Sequence, residues 1–245
     1  MPTVAITGAN GFIGSKLVQF FSENGWEVRA LARSPNEAFV RPRVSFCLYR
    51  LGYPIEEAVL KGVNVLIHAA HDFSGQCLNQ LECARLLVRE AQVAEVEGLI
   101  FLSSMSAHVD ARSSYGRVKW EIENYFLSVN GICVRPGLVI GQGGLFGRLR
   151  KFTLKYPIIP LVSGGYQKIR FVSIDDLARS ILDISCKSKP GLYIVASPTT
   201  IPFRDLMLAL AVRSNGKKIM VRVPYSLAYL GLLLAEKLFP GVGLS

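Results

Sequence analysis

Apolar positions follow two rhythms along the first 140 residues of the chain. Thr3–Thr7 is a short β-branched run that stops at Gly8. From Phe12 to Phe21 the apolar residues Ile13, Leu17, Phe20 and Phe21 recur at helical spacing. Trp26–Ala32 and Val44–Leu48 predict a second and third strand. Val63–Ala69 is nearly continuous and apolar, as a strand buried on both faces requires. Leu78–Val96 predicts a long helix with Leu81, Leu86, Leu87 and Val88 inward. Gly98–Leu102 follows as a strand, Ser114–Val129 as a helix and Ile132–Arg135 as a strand. Strands alternating with helices predict an α/β fold with a parallel sheet covered on both sides. Right-handed crossovers then make it a doubly wound, Rossmann-type sheet.

The texture changes after Pro136. Gly141, Gly143, Gly144 and Gly147 predict a flexible loop, followed by a basic segment, Arg148–Lys155. Lys168–Val172 and Leu192–Val195 predict strands, and Ile174–Ile184 and Phe203–Arg213 helices. Tyr225–Phe239 reads as an apolar helix, packed or touching a membrane surface, after which the chain ends abruptly at Ser245, as if a C-terminal piece were missing. The expected division is a dinucleotide-binding domain over 1–140 and a small substrate-facing lobe over 141–245, packed on the sheet and not independent of it.

Chemistry enters at the first strand-to-helix turn, Thr7-Gly8-Ala9-Asn10-Gly11-Phe12-Ile13-Gly14. Gly8 permits a tight turn. Gly11 lets backbone N–H groups approach a pyrophosphate at the helix N-terminus, where the helix dipole favours an anion. Gly14 lets the helix sit close to the sheet. The end of the second strand selects the dinucleotide. An acid there would hold a ribose 2′-hydroxyl, but the sequence runs Leu31-Ala32-Arg33-Ser34. A guanidinium beside an open position suits a 2′-phosphate, so NADP is expected in preference to NAD.

The second motif is Tyr115-Gly116-Arg117-Val118-Lys119. Positions i and i+4 share a helix face, so a Lys119 ammonium would favour the Tyr115 phenolate and lower the usual Tyr pKa of about 10. A Tyr so placed exchanges a proton with a hydroxyl or carbonyl. Upstream, the strand through Leu102 ends at Ser103-Ser104, and residues just past strand ends in a parallel sheet face the ligand crevice.

With these residues in order, the chain resembles the short-chain dehydrogenase/reductase superfamily. It looks most like the extended or atypical branch, which includes nucleotide-sugar epimerases and dehydratases. The resemblance runs from about Thr3 to Leu182. It is carried by the glycine loop, Val65-Leu66-Ile67-His68-Ala69-Ala70, Asn79, Phe101-Leu102-Ser103-Ser104, Tyr115/Lys119, Val134-Arg135-Pro136-Gly137-Leu138-Val139 and Phe171 to Ala178. It implies Ser104 as the catalytic serine, Tyr115 as acid/base and Lys119 as the residue that tunes it and binds the nicotinamide ribose. It implies further cofactor contacts at Gly8, Asn10, Gly11, Phe12, Ile13, Gly14, Arg33, His68, Ala69, Ala70, Ser103, Pro136, Gly137 and Val139, with Ser103 also serving as a strand-end hydrogen-bonder. Asp175-Asp176 resembles the family's helix-start pair, whose first role is capping and dipole neutralisation. The departures are Glu82-Cys83 where the family often has Gly-Thr, no acid at Leu48-Tyr49-Arg50-Leu51, and only 11 positions between Ser104 and Tyr115. They imply an atypical member with a trimmed loop at His108–Ser113.

Composition changes this picture only at the margins. Half of the 245 residues are hydrophobic and the formal net charge is +10. A disordered polyelectrolyte is excluded, and an anionic partner is favoured. Phosphate-bearing small molecules fit that charge, and no nucleic-acid partner is assigned. Arg112, Arg148, Arg150, Lys151 and Lys155 either surround a phosphate-bearing substrate or form a solvated basic surface; His71, His108 and Arg148 are the candidate substrate contacts. His68 and His71 form a His-x-x-His without a third ligand at metal spacing, so no metal is expected. The odd cysteine count (Cys47, Cys77, Cys83, Cys133, Cys186) without a Cys-x-x-Cys predicts buried free thiols in a reducing compartment. No signal peptide is read at Met1-Pro2. The longest uncharged stretch near the end, 223–235, is 13 residues against the roughly 20 a membrane span needs. The expectation is a cytoplasmic NAD(P)-dependent oxidoreductase or epimerase, with a homodimer open. A nucleotide-sugar-like, anionic substrate is the first reading. NADP-dependent reduction of a small ketone or aldehyde, or a non-catalytic cofactor-binding sensor or assembly factor, are the alternatives.

Overall fold

A computed structural model describes residues 1–73, 79–187, 189–212 and 217–226. The elements run β1 (Thr3–Thr7), α1 (Phe12–Glu23), β2 (Glu27–Ala32), β3 (Val44–Leu48), α2 (Glu57–Leu60), β4 (Val65–His68), α3 (Gln80–Val93), β5 (Gly98–Leu102), α4 (Ser114–Ser128) and β6 (Ile132–Pro136). They continue with β7 (Leu138–Ile140), α5 (Gly144–Lys155), β8 (Ile158–Val162), β9 (Lys168–Ile169), β10 (Phe171–Ser173), α6 (Ile174–Lys187) and β11 (Gly191–Val195). The last are β12 (Ile201–Pro202), α7 (Phe203–Val212) and β13 (Ile219–Val223).

Seven strands form one parallel sheet in the order β11-β6-β5-β4-β1-β2-β3. The order reverses between β1 and β4, which is the switch point of a Rossmann-like doubly wound α/β fold. The sheet's centre is apolar on both faces because helices cover both: α1 packs against α6, and α3 against α4. The core beneath α3 and α4 gathers Leu66, Leu87, Val88, Phe101, Ile122, Phe126 and Cys133, all fully or nearly fully buried. Lys16 of α1 pairs with Asp175 in the first turn of α6 at 2.5 Å, so Asp175 meets a cation as well as its own helix N-terminus.

A buried carboxylate fixes how α4 sits. Glu123, with its side chain 3% exposed, takes the Arg135 guanidinium of β6 bidentately (Nη2 to Oε1 2.5 Å, Nε to Oε2 2.8 Å). The Ser103 hydroxyl at the end of β5 donates to the same carboxylate at 2.5 Å. One helix residue is thus tied to two strand ends.

The chain divides into two compact units. The first is Met1–Pro136 with Ile174–Val195; the second is Gly137–Ser173 with the residues from Ala196 onward. The sequence reading ended the first domain at 140, but α6 and β11 return to the large sheet, where β11 pairs with β6. In the second unit, α5 and α7 cover a small core of Ile159, Leu161, Leu206, Met207 and Leu210. Its strands form three two-stranded pairs, β7 with β10, β9 with β12 and β8 with β13.

Several elements differ from the expectation. The segment read as a flexible loop and basic stretch is the helix α5, because Phe146, Leu149 and Thr153 give it an inward stripe. Lys168–Val172 is not one strand but two, β9 and β10, in different pairs. Strands β8 and β13 had no sequence reading. Among the described cysteines, only Cys133 is a buried free thiol; Cys47 is half-buried, Cys186 is exposed and Cys83 is disulfide-bonded. Cys77 and Leu78, residues 213–216 and the rest of the Tyr225–Phe239 segment beyond 226 lie outside the described residues.

Removing one partner of a buried ion pair leaves the other charge uncompensated. Glu123→Ala should therefore lower unfolding free energy by about 3–5 kcal/mol in urea denaturation. Glu57→Ala, on the exposed first turn of α2, should stay within about 0.5 kcal/mol.

Candidate active site

The turn after β1 is built by steric exclusion. Gly8 has φ +67, and a Cβ there would lie 2.8 Å from the Ala70 backbone. A Cβ at Gly14 would overlap the Gly8 carbonyl oxygen, while Gly11 N–H donates to that oxygen at 2.8 Å. Helix α1 starts at Gly11 with no side-chain cap and no acid in its first turn. Its leading N–H groups, on Phe12, Ile13 and Gly14, have no intrahelical acceptor and stand free for an anion. The close approaches and the uncapped helix end fit the diphosphate of a dinucleotide. Asn10 acts structurally, since its side-chain amide donates to the Ser34 carbonyl at 2.8 Å and so ties the turn to the end of β2. Arg33 is exposed just past Ala32 and has no ion-pair partner among the described residues.

Thr7, unremarked in the sequence beyond its place before the turn, joins β1 to β4. Its hydroxyl lies 2.8 Å from His68 Nδ1 and accepts the Ala70 N–H at 3.3 Å. The His68 ring is buried and stacks with Phe101 and Phe126 at 5.6 and 6.1 Å between centroids. Burial above all, and then the nearby Lys119 and His71, hold its pKa down at about 3. His68 is therefore a neutral core residue that shapes the turn through Thr7, and its neighbours Ala69 and Ala70 stand half-buried against Gly8.

Helix α4 carries the second motif. Ser113 caps it by accepting the Gly116 N–H at 3.1 Å. A Cβ at Gly116 would lie 2.6 Å from the Ser106 carbonyl oxygen, so glycine lets the short loop after Ser104 lie on the first helical turn. Ser104 lies close enough to Tyr115 to offset part of the effect of burial on its phenol. The Ser106 N–H donates to Ser104 Oγ at 3.1 Å and orients it. Lys119, one turn along, is buried; its Nζ donates to the Leu102 carbonyl at 2.7 Å and lies 4.6 Å from the Phe101 ring centroid and 5.9 Å from that of Tyr115.

The expected lowering of the Tyr115 pKa is corrected. Burial raises it, partly offset by the Ser104 hydrogen bond. Burial also lowers Lys119 to about 7, and one of its donors goes to the Leu102 carbonyl. Desolvation outweighs charge attraction in both members of the pair.

His71 does reach Tyr115, edge to face at 4.9 Å. Burial, then Lys119, lowers its pKa to about 4, with Asp72 opposing. Phe73, which sequence reasoning missed, stacks with Tyr115 at 6.0 Å and touches His71 at 4.5 Å. No spacing rule marks it, since it lies in a loop. Glu123 was also missed, though it had a signal: Tyr115, Lys119 and Glu123 are i, i+4 and i+8 on one helix stripe.

The remaining candidates disperse. Ser103 is buried, with its hydroxyl engaged by Glu123. His108 is exposed. Pro136 closes β6 in the first unit, whereas Gly137 and Val139 belong to the second, where Val139 pairs with Val172. Arg148 is exposed on α5.

Residues 8–128 match a family model described as NAD(P)H-binding. The chain is 29% identical over 195 residues to a ceramide reductase of Caulobacter vibrioides (strain NA1000 / CB15N), over 73% of this chain and 59% of that protein. It thus spans about three fifths of the length of the curated relative it matches. Among solved structures, gox2253 matches with a TM-score of 0.78 and 22% identity, over 100% of this chain and 84% of that one. The NAD-dependent NDP-hexosamine 5,6-dehydratase TunA, involved in tunicamycin biosynthesis, matches at 0.75 and 21%, over 91% and 84%. A UDP-glucose 4-epimerase from Thermotoga maritima matches at 0.74 and 18%, over 91% and 85%. At these identities the likeness is one of fold.

A histidine held neutral in the folded chain penalises acid, because the unfolded chain binds the proton at about pH 6.5. Stability that His68 contributes is present above pH 6.5 and is lost as pH falls toward its folded value of about 3. Each pH unit in that window should cost about 1.4 kcal/mol. His68→Leu should flatten the urea midpoint between about pH 6.5 and 5, leaving the slope due to His71.

Proposed function

We propose that the chain is a member of the short-chain dehydrogenase/reductase superfamily and an NAD(P)-dependent oxidoreductase acting at a substrate carbonyl or carbinol carbon, a reading supported by the NAD(P)H-binding match over residues 8–128 and the ceramide reductase relative. The observation that carries the reading is the placement of Tyr115 and Lys119 on one stripe of α4, with the Lys119 Nζ 5.9 Å from the Tyr115 ring centroid and bonded to the Leu102 carbonyl at the end of β5, where Ser104 follows. The bound nicotinamide supplies or takes up the hydride. Gly8, Gly11 and Gly14 with the first N–H groups of α1 would hold the diphosphate, and Arg33 a 2′-phosphate. Ser104 hydrogen-bonds the substrate oxygen and Tyr115 gives it a proton in reduction or removes one in oxidation. Burial keeps the Tyr115 proton in place at neutral pH, which favours the donor role. Lys119 anchors the helix to Leu102 and keeps its charge within reach of the phenol.

Reduction of a carbonyl set in apolar surroundings is the substrate reading supported best. His71, uncharged, and Phe73 present aromatic surface to Tyr115, and the relative named a ceramide reductase points the same way. Nucleotide-sugar epimerisation or dehydration is the second reading, favoured by the solved structures of that chemistry.

Titration with NADPH and NADH, followed by fluorescence, should show NADPH preferred and the preference lost in Arg33→Ala. Tyr115→Phe should lower kcat by about 100-fold or more on an accepted ketone, with cofactor affinity unchanged. Equal or NADH-favouring affinity sinks the Arg33 assignment and moves the search to nucleotide sugars. Tight cofactor binding without turnover on either panel favours a sensor.

A further inference from the structure

The net positive charge is concentrated in one unit of the protein. Residues 1–136 with 174–195 hold sixteen Lys and Arg and sixteen Asp and Glu. Residues 137–173 with 196–226 hold eleven Lys and Arg and a single acid, Asp205. The segment 137–173 has no acid at all. A spread of solvated charge would not separate so sharply along the boundary between two units.

The second unit also exposes apolar side chains where its elements should be polar. Helix α5 packs the half-buried Phe146 and Leu149 against the small core. Its opposite side carries exposed Arg148, Lys151 and Lys155, and these are flanked by Leu145 (54% exposed) and Phe152 (37%) on one edge and Leu154 (43%) on the other. Phe152 stacks on Tyr156, and Lys155 lies 5.3 Å from the Tyr156 ring centroid. The pattern continues onto the β8–β13 pair. In a sheet, alternate residues share a face. Ile159, Leu161 and the half-buried Met220 turn inward. Ile158 pairs with Ile219, and Pro160 with Val221; all four are exposed, on the opposite face. Lys218 joins the two regions, donating to the Leu154 and Tyr156 carbonyls at 3.1 and 3.0 Å.

We propose that this face, formed by the C-terminal half of α5 and the outer side of β8–β13, docks the protein on the surface of an anionic lipid bilayer. The charge selects the partner: cations among apolar side chains complement lipid phosphates above an acyl layer. A second copy of the chain would bring like charge against like. A nucleic acid would use the cations but leave Ile158, Ile219 and Val221 facing water or sugar edges without gain. Among the described residues no helix is long and apolar enough to cross a membrane, so the contact proposed is one of surface insertion. The proposal stands apart from the reaction and does not depend on it.

Flotation of the full chain with phosphatidylcholine vesicles, with and without phosphatidylglycerol, tests it. The protein should float with the anionic vesicles only, and less so as salt rises. Arg148→Gln/Lys151→Gln/Lys155→Gln together should weaken partitioning about a hundredfold, at about fivefold per cation. Ile158→Ser/Ile219→Ser should weaken it about tenfold and remove the part that survives high salt. Every substituted side chain is exposed, and unchanged melting and cofactor binding would show that the variants fold. Equal flotation with neutral vesicles, or binding unaffected by both variants, would overturn the proposal. Retention on duplex DNA without flotation would assign the face to nucleic acid instead and overturn it equally.

Discussion

A carboxylate buried among protein groups has to be satisfied, and Glu123 is satisfied only in one arrangement. Its two oxygens take the Arg135 fork and the Ser103 hydroxyl, and these come from neighbouring parallel strands. The helix that carries Glu123 can therefore neither roll nor slide on the sheet without stranding a charge. Lys119 and Tyr115 lie on the same stripe one and two turns back, so the pairing fixes where they fall relative to the end of β5. Ser104, next to Ser103, inherits its place from the same contact. The placement of Ser104, Tyr115 and Lys119 thus rests on an ion pair that involves none of the three.

Around that anchor, desolvation sets the protonation states. Lys119, His68 and His71 lie close together and burial disfavours the cation at each of them. Two of the three are neutral at physiological pH, which spares the strand ends from accumulated positive charge. Tyr115 keeps its proton for the same reason. The Tyr115–Lys119 pair is tuned as much by the low dielectric of its surroundings as by the attraction between its members.

The first unit, balanced in charge, offers an anion the uncapped start of α1 and the Gly8–Gly14 turn, a fit that needs shape rather than net charge. The second unit carries the cation surplus, with Arg148, Arg150, Lys151 and Lys155 on the amphipathic helix α5 and the exposed apolar residues of β8–β13 beside it. A strongly basic composition, taken over the whole chain, pointed to an anionic partner without locating it; only the division into units shows where the cations are.

The sequence by itself determined the parallel sheet, the glycine turn and the order of the motifs, because each rests on local rules: strand and helix periodicity, the glycines that close approach demands, and i, i+4 spacing. Thr3–Thr7, Gly98–Leu102 and Val44–Leu48 stand where their hydrophobic runs place them. The second unit was less legible, since its strands are two to five residues long and gain their apolar faces by pairing across long separations, as Ile158 does with Ile219. Tertiary structure alone decided that His68 faces the core, that Phe73 reaches Tyr115 and that Glu123 joins Ser103 to Arg135. It also decided the direction of the Tyr115 shift. Burial and long-range contact are properties of the folded chain, and no spacing along a sequence encodes how much water a side chain has lost.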